Sequence, residues 1–205
     1  LMTSLLPAAL FVTFSTPILE SNASAADWPQ WRGPNRDGIS KETGLLKSWP
    51  AAGPKLLWQV TDLDSGYSTP SVAGGRIYVM SNKGLDDEFV KALNAKDGSQ
   101  VWSTRVGKVG NPDQSPKYPA ARSTPTVDAT RVYALGSDGD LACLESASGK
   151  IVWTKSLRKD FGGKPGAWAY SESPLVDGEV VVCTPGGTEA TVVALDKKSG
   201  EGVWK

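Results

Sequence analysis

The sequence predicts an all-β fold of repeated four-stranded antiparallel sheets, on three observations. A strand–turn–strand string recurs as "ALNAKDGSQVW" from Ala92, "CLESASGKIVW" from Cys143 and "ALDKKSGEGVW" from Ala194, with a period of 51 residues both times. A second block follows a looser period: "STPSV" from Ser68, "STPTV" from Ser123 and "SESPLV" from Ser171, with Pro70, Pro125 and Pro174 spaced 55 and 49 apart. Between these blocks lie nearly continuous apolar runs, "RIYVM", "RVYAL" and "EVVVC", as in a strand covered on both faces. A period near 50 residues made of short strands marks sheets arrayed around an axis, a β-propeller.

The elements follow in chain order. "SLLPAALFVTF" (Ser4–Phe14) is an apolar run, and a polar stretch ending "SNASA" precedes Ala26. This is the pattern of a secretory signal cut after Ala25, and the run is too short to span a bilayer. No cysteine stands at the cleavage point, so no lipid anchor is expected. Residues 1–25 are thus expected to be a signal peptide, residues 26–54 a lead-in and residues 55–205 part of a propeller. "KLLWQV" (Lys55–Val60) reads as a lone fourth strand carrying Trp58.

Three full units come next, and the second resolves into "RSTPTV", "RVYALGS", "DLACLES" and "KIVWTKSL". The turns "NAKDG", "ESASG" and "DKKSG" before each last strand suit tight hairpins, with Gly98, Gly149 and Gly200 expected at positive φ. Each turn delivers one tryptophan, Trp102, Trp153 or Trp204, whose flat ring is expected to fill the wedge between blades. Trp58 is read in the same packing role. Three blades and a single strand do not close a ring, so the chain is expected to be the N-terminal part of a longer one.

Composition limits the chemistry. Lys+Arg and Asp+Glu number 22 each, giving zero formal charge, and no basic excess points to nucleic acid. Histidine is absent, which removes the commonest general base and zinc ligand. Cys143 and Cys183 stand where other units carry small apolar residues and are read as core filler. Neither they nor any serine sits in a nucleophile elbow. The acidic runs around Asp62 and Asp86 lack calcium-loop spacing.

The two ends of each unit differ. One end has short turns; the other has long connections at Thr61–Tyr67, Gly107–Ala121 and Leu157–Tyr170. Variable loops on a rigid scaffold are where binding concentrates, so this face and the channel mouth are the expected site. There Arg122 can clamp an anion, and Glu172 can pair with it or bind a cation. Tyr67, Trp168 and Tyr170 can stack on a flat ligand such as a sugar ring or a quinone. The alternative is structural: an Arg122–Glu172 pair between blades, with the aromatics packed under loops.

The string A-L-D-x-x-x-G-x-x-x-W resembles the tryptophan-docking motif of pyrroloquinoline quinone (PQQ) type β-propellers, with Asn94, Glu145 and Asp196 at the acidic position. "DWPQWRGPNRDGIS" (Asp27–Ser40) also resembles the opening of bacterial PQQ-like repeat proteins. The resemblance implies a closed ring of up to eight blades. It implies either a non-catalytic binding scaffold or a PQQ- and calcium-dependent quinoprotein dehydrogenase acting on alcohols or sugars. No cofactor is identifiable from the residues, and PQQ with calcium enters only through the resemblance. The adjacent cysteine pair of quinoprotein alcohol dehydrogenases is missing, and no catalytic residue can be named. A third likeness is to the propeller lipoprotein of the outer-membrane assembly machine. The expected protein is periplasmic or secreted, with no membrane span once the signal is removed. Its expected partner is a protein, peptide or polysaccharide of the cell envelope, reached through the long-loop face.

Overall fold

A computed structural model of the chain describes residues 26–111 and 118–205. Residues 1–25, expected from the sequence to be a signal peptide, lie outside the described residues. The first blade consists of β1 (Ser71–Ala73), β2 (Arg76–Lys83), β3 (Asp87–Asn94) and β4 (Gln100–Lys108). The second consists of β5 (Thr126–Asp128), β6 (Arg131–Leu135), β7 (Asp140–Glu145) and β8 (Ile151–Ser156). A one-turn helix, α1 (Leu157–Phe161), follows, and then β9 (Leu175–Asp177), β10 (Val180–Cys183), β11 (Val193–Asp196) and β12 (Gly202–Trp204). Each blade is a four-stranded antiparallel sheet with its strands side by side in chain order, as the sequence predicts.

Three local features differ from the sequence expectation. The first strand of blade two begins at Thr126, not Arg122, because Pro125 lacks the N–H a ladder needs. Ser123 and Thr124 instead bond to the neighbouring blade, at Glu172 O and Ser173 Oγ. Lys55–Val60 pairs with no strand among the described residues. The helix α1 stands where an irregular connection is expected. Ser156 caps it by accepting the Lys159 N–H, and Gly162 ends it at φ 62°, the usual N-cap and left-handed C-terminal arrangement.

The core lies in the seams. Along β6 and β7, Val132, Ala134, Ala142 and Leu144 face blade one, where they meet Met80, Val90, Ala92 and Trp102. The alternate residues Tyr133, Leu135, Leu141 and Cys143 face blade three, meeting Val181, Cys183, Val193 and Leu195. The two-residue side-chain period of a strand thus loads both faces of one sheet. Each fully buried Leu or Val contributes about 1.5–3 kcal/mol. The two cysteines are free and buried in this second seam. Burial pushes the Cys143 thiol up to about 11, so it stays protonated.

One geometry repeats across the seams. Trp58, Trp102 and Trp153 donate their indole N–H to the carbonyls of Ala95, Ser146 and Lys197, at 3.2, 3.0 and 3.2 Å. Each acceptor lies three residues before a turn glycine of the following blade. Those glycines, Gly98, Gly149 and Gly200, have φ of 73°, 71° and 75°. A Cβ on them would lie 2.7, 2.6 and 2.7 Å from atoms of the respective indole rings. Glycine therefore meets two demands there: the left-handed backbone and the flat seat for the ring. Tyr78 and Tyr133 tilt against Trp102 and Trp153 at 5.9 and 6.0 Å between centroids. Trp204 is half exposed.

The lead-in does not lie apart from the sheets. Trp28 donates to Val72 O at 2.7 Å and accepts from Val72 N–H at 2.9 Å; Pro29 O accepts from Val127 N–H at 2.8 Å. The Arg36 guanidinium donates to Val176 O at 2.9 Å and to Gln30 Oε1 at 2.9 Å. Val72, Val127 and Val176 each stand two residues after the repeated proline, so they are equivalent positions of three blades. β1, β5 and β9 use their other edges for β2, β6 and β10. Residues 28–36 therefore run as a strap along the edges that face the propeller axis.

Candidate functional site

Side-chain hydroxyls link the starts of the inner strands. Ser68 Oγ donates to Ser123 O at 2.7 Å, and Ser123 Oγ donates to Glu172 O at 2.5 Å. Both serines, like Glu172, lie two residues before the repeated proline, so one link is used twice. It holds the residues just before it, Tyr67, Arg122 and Ser171, at fixed positions on the long-loop face. Tyr67 N–H also donates to Ala121 O at 2.8 Å.

Three connections converge there. The Thr61–Tyr67 loop is tied down by the buried Lys91, whose Nζ donates to Asp64 Oδ2 at 2.7 Å. Trp168 stands on a tight turn closed by Ala169 N–H to Gly166 O at 3.0 Å, with Ala169 at φ 63°. Asn111 Nδ2 reaches Ala167 O at 3.3 Å and braces that turn. Arg122 stands between these loops, its guanidinium carbon 5.1 Å from the Tyr67 ring centroid and 5.4 Å from that of Trp168. Nη2 donates to Tyr118 O at 2.5 Å, while Nε is buried without an acceptor. The Tyr118 ring meets Tyr67 edge-on at 6.3 Å. Tyr67 and Trp168 are 55% and 51% exposed. The result is a planar cation held in orientation by two rings that keep open faces toward solvent.

The other two candidates are placed differently. Tyr170 is buried, its ring against Gly139 and its hydroxyl donating to Pro185 O at 3.0 Å; it packs the second seam and presents no face to a ligand. Glu172 turns to its own blade, where it accepts from Thr184 N–H at 2.6 Å and from the Thr184 hydroxyl. The Arg122–Glu172 pair weighed from the sequence does not form. Tyr118 and the bracing pair Lys91–Asp64 were missed. Their one sequence signal is an aromatic, or a buried-strand lysine, at a variable loop.

The fold family also raises calcium-bound quinone chemistry, which requires several oxygen donors converging on a cation. Among the described residues no group of three His, Cys, Asp or Glu side chains converges. The Glu172 carboxylate is already taken, and the strap occupies the axis-facing edges. These residues do not fit that group. Cavities of about 510 and 200 Å³ open beside the strap, the first against the short-turn residues Gly74, Ala129 and Ser146, the second against Trp31, Arg36 and Pro174. Among the described residues no helix is long and apolar enough to cross a membrane.

Comparison with known proteins bears on the fold first. A family model described as outer membrane protein assembly factor BamB matches residues 39–116 and 86–205. The outer membrane protein assembly factor BamB of Moranella endobia is 31% identical over 125 residues, covering 58% of this chain and 31% of that protein. The serine/threonine-protein kinase AfsK of Streptomyces griseus is 27% identical over 166 residues, covering 79% of this chain and 19% of that one. The chain therefore spans about a third or less of the curated relatives it matches. The quinohemoprotein alcohol dehydrogenase of Comamonas testosteroni superposes with a TM-score of 0.61 at 24% identity, over 89% of this chain and 28% of that one. That likeness speaks to the propeller fold alone.

Proposed function

The chain belongs to the PQQ-type repeat family described as outer membrane protein assembly factor BamB, and from that premise we propose that it is an exported, non-catalytic binding module. It holds a component of the cell envelope on its long-loop face. The observation that carries this reading is the cluster of Tyr67, Arg122 and Trp168, drawn from three separate connections onto one rigid face. The BamB relatives are named for assembly, which supports a binding role over a chemical one. Fold alone confers no activity, and the described residues supply no cradle for a metal-bound quinone. Export rests on the segment Ser4–Ala25. The domain reading is a lead-in over 26–54 ahead of a partial propeller over 55–205.

The test uses the full-length protein expressed in a bacterial envelope. The purified protein is expected to begin at Ala26 by intact mass. Immobilised, it is expected to retain an envelope component that the double variant Arg122→Ala, Trp168→Ala fails to retain while keeping its unfolding midpoint. Incubated with PQQ and calcium, it is expected to elute without quinone absorbance. Stoichiometric quinone retention with dye-linked alcohol oxidation would replace this reading with the dehydrogenase one.

A further inference from the structure

Resting on that binding-face reading, we infer that Tyr67, Arg122 and Trp168 recognise a carboxylate carried on a sugar ring, so that the ligand is an acidic, uronate-bearing polysaccharide. Three features of the site specify this chemistry. The first is charge: no carboxylate among the described residues pairs with Arg122, whereas Lys91 and Arg158 each have a carboxylate partner. The second is the donor fork. Nη2 gives one hydrogen to a carbonyl and Nε is buried, so among the described residues the outer end of the guanidinium, Nη1 with the second hydrogen of Nη2, is the edge left to meet a carboxylate in two-point fashion.

The third is the shape around the cation. Two rings at 5.1 and 5.4 Å flank it and remain half exposed. Their open faces suit the flat C–H face of a pyranose, with large apolar contact at little entropic cost. A hexuronate offers both elements at once, a stacking ring and a carboxylate fixed rigidly at its edge. An aspartate or glutamate of an acidic peptide carries its carboxylate on a flexible stem and leaves both rings uncovered.

The experiment is a calorimetric titration of the full-length protein with three probes: tetragalacturonate, its methyl ester and hexaglutamate. The free acid is expected to bind about tenfold more tightly than the ester, a difference of the size a charge-assisted bidentate contact supplies. Arg122→Gln is expected to abolish that difference, and Arg122→Lys to restore little of it, since a point charge neither stacks nor forks. Trp168→Ala is expected to weaken acid and ester alike by about fivefold. Equal affinity for acid and ester, or hexaglutamate binding as tightly as the uronate, would overturn the inference. The acid–ester comparison needs no variant, so a misfolded mutant cannot obscure it. Failure of the uronate with envelope capture still lost in the double variant would end this inference and leave the binding-face reading standing; capture unchanged would end both.

Discussion

Gly149 shows how much one hydrogen atom in place of a methyl decides. Its φ of 71° suits glycine, and the Trp102 ring fills the space a Cβ would need. Gly74 has a similar φ of 57° with nothing within 4 Å of its would-be Cβ. The two positions separate backbone strain from ring seating. Gly74→Ala is expected to cost about 1 kcal/mol in urea unfolding. Gly149→Ala is expected to cost roughly 2–4 kcal/mol, since overpacking a seam adds to the same strain. Equal losses would mean that the ring seat contributes nothing. This residue-scale feature was legible because turn, glycine and tryptophan recur at fixed spacing. The placement of Tyr170 was not: an aromatic beside a loop reads the same whether it faces solvent or packs on Gly139, and only the neighbouring blade decides.

At the scale of elements, the seam between blades one and two holds a carboxyl that periodicity hides. Glu88 lies on β3, fully buried, and accepts hydrogen bonds from the backbone N–H and hydroxyl of Ser137 in the β6–β7 turn. Burial pushes its carboxyl up to about 7; the Ser137 hydrogen bonds oppose this, and Asp140 and Asp138 add to it. The folded chain therefore binds this proton more tightly than the unfolded chain does. The stabilising effect is fully present below the unfolded value of 4.5 and is lost as pH rises through about 7. Between pH 4.5 and 7.5 the seam is expected to weaken by about 3 kcal/mol from this group. Glu88→Gln is expected to remove that part of the pH dependence in denaturant titrations. A variant with the wild-type slope would place the proton elsewhere. The helix α1 was equally hidden in the sequence, because its five residues are too few to show a period and its formation depends on the cap at Ser156.

On the scale of the whole molecule, the blades were legible because each repeats the same strands and turns. The strap was not, because a segment that occurs once has no period, and its partners lie 44, 98 and 140 residues away at Val72, Val127 and Val176. The strap bonds through its backbone to the axis-facing edges of two blades and through the Arg36 side chain to that of the third, while the proposed ligand site lies on the long-loop face. Open inner edges would exchange their amide hydrogens freely with water, whereas bonded ones exchange only on local opening. The direct measurement is residue-resolved hydrogen exchange on the unmodified full-length protein. The amides of Val72 and Val127, which donate to Trp28 and Pro29, are expected to be protected about as strongly as those of β2. Exchange of both amides at the rate of an open chain would show an empty inner edge and contradict the strap-lined channel.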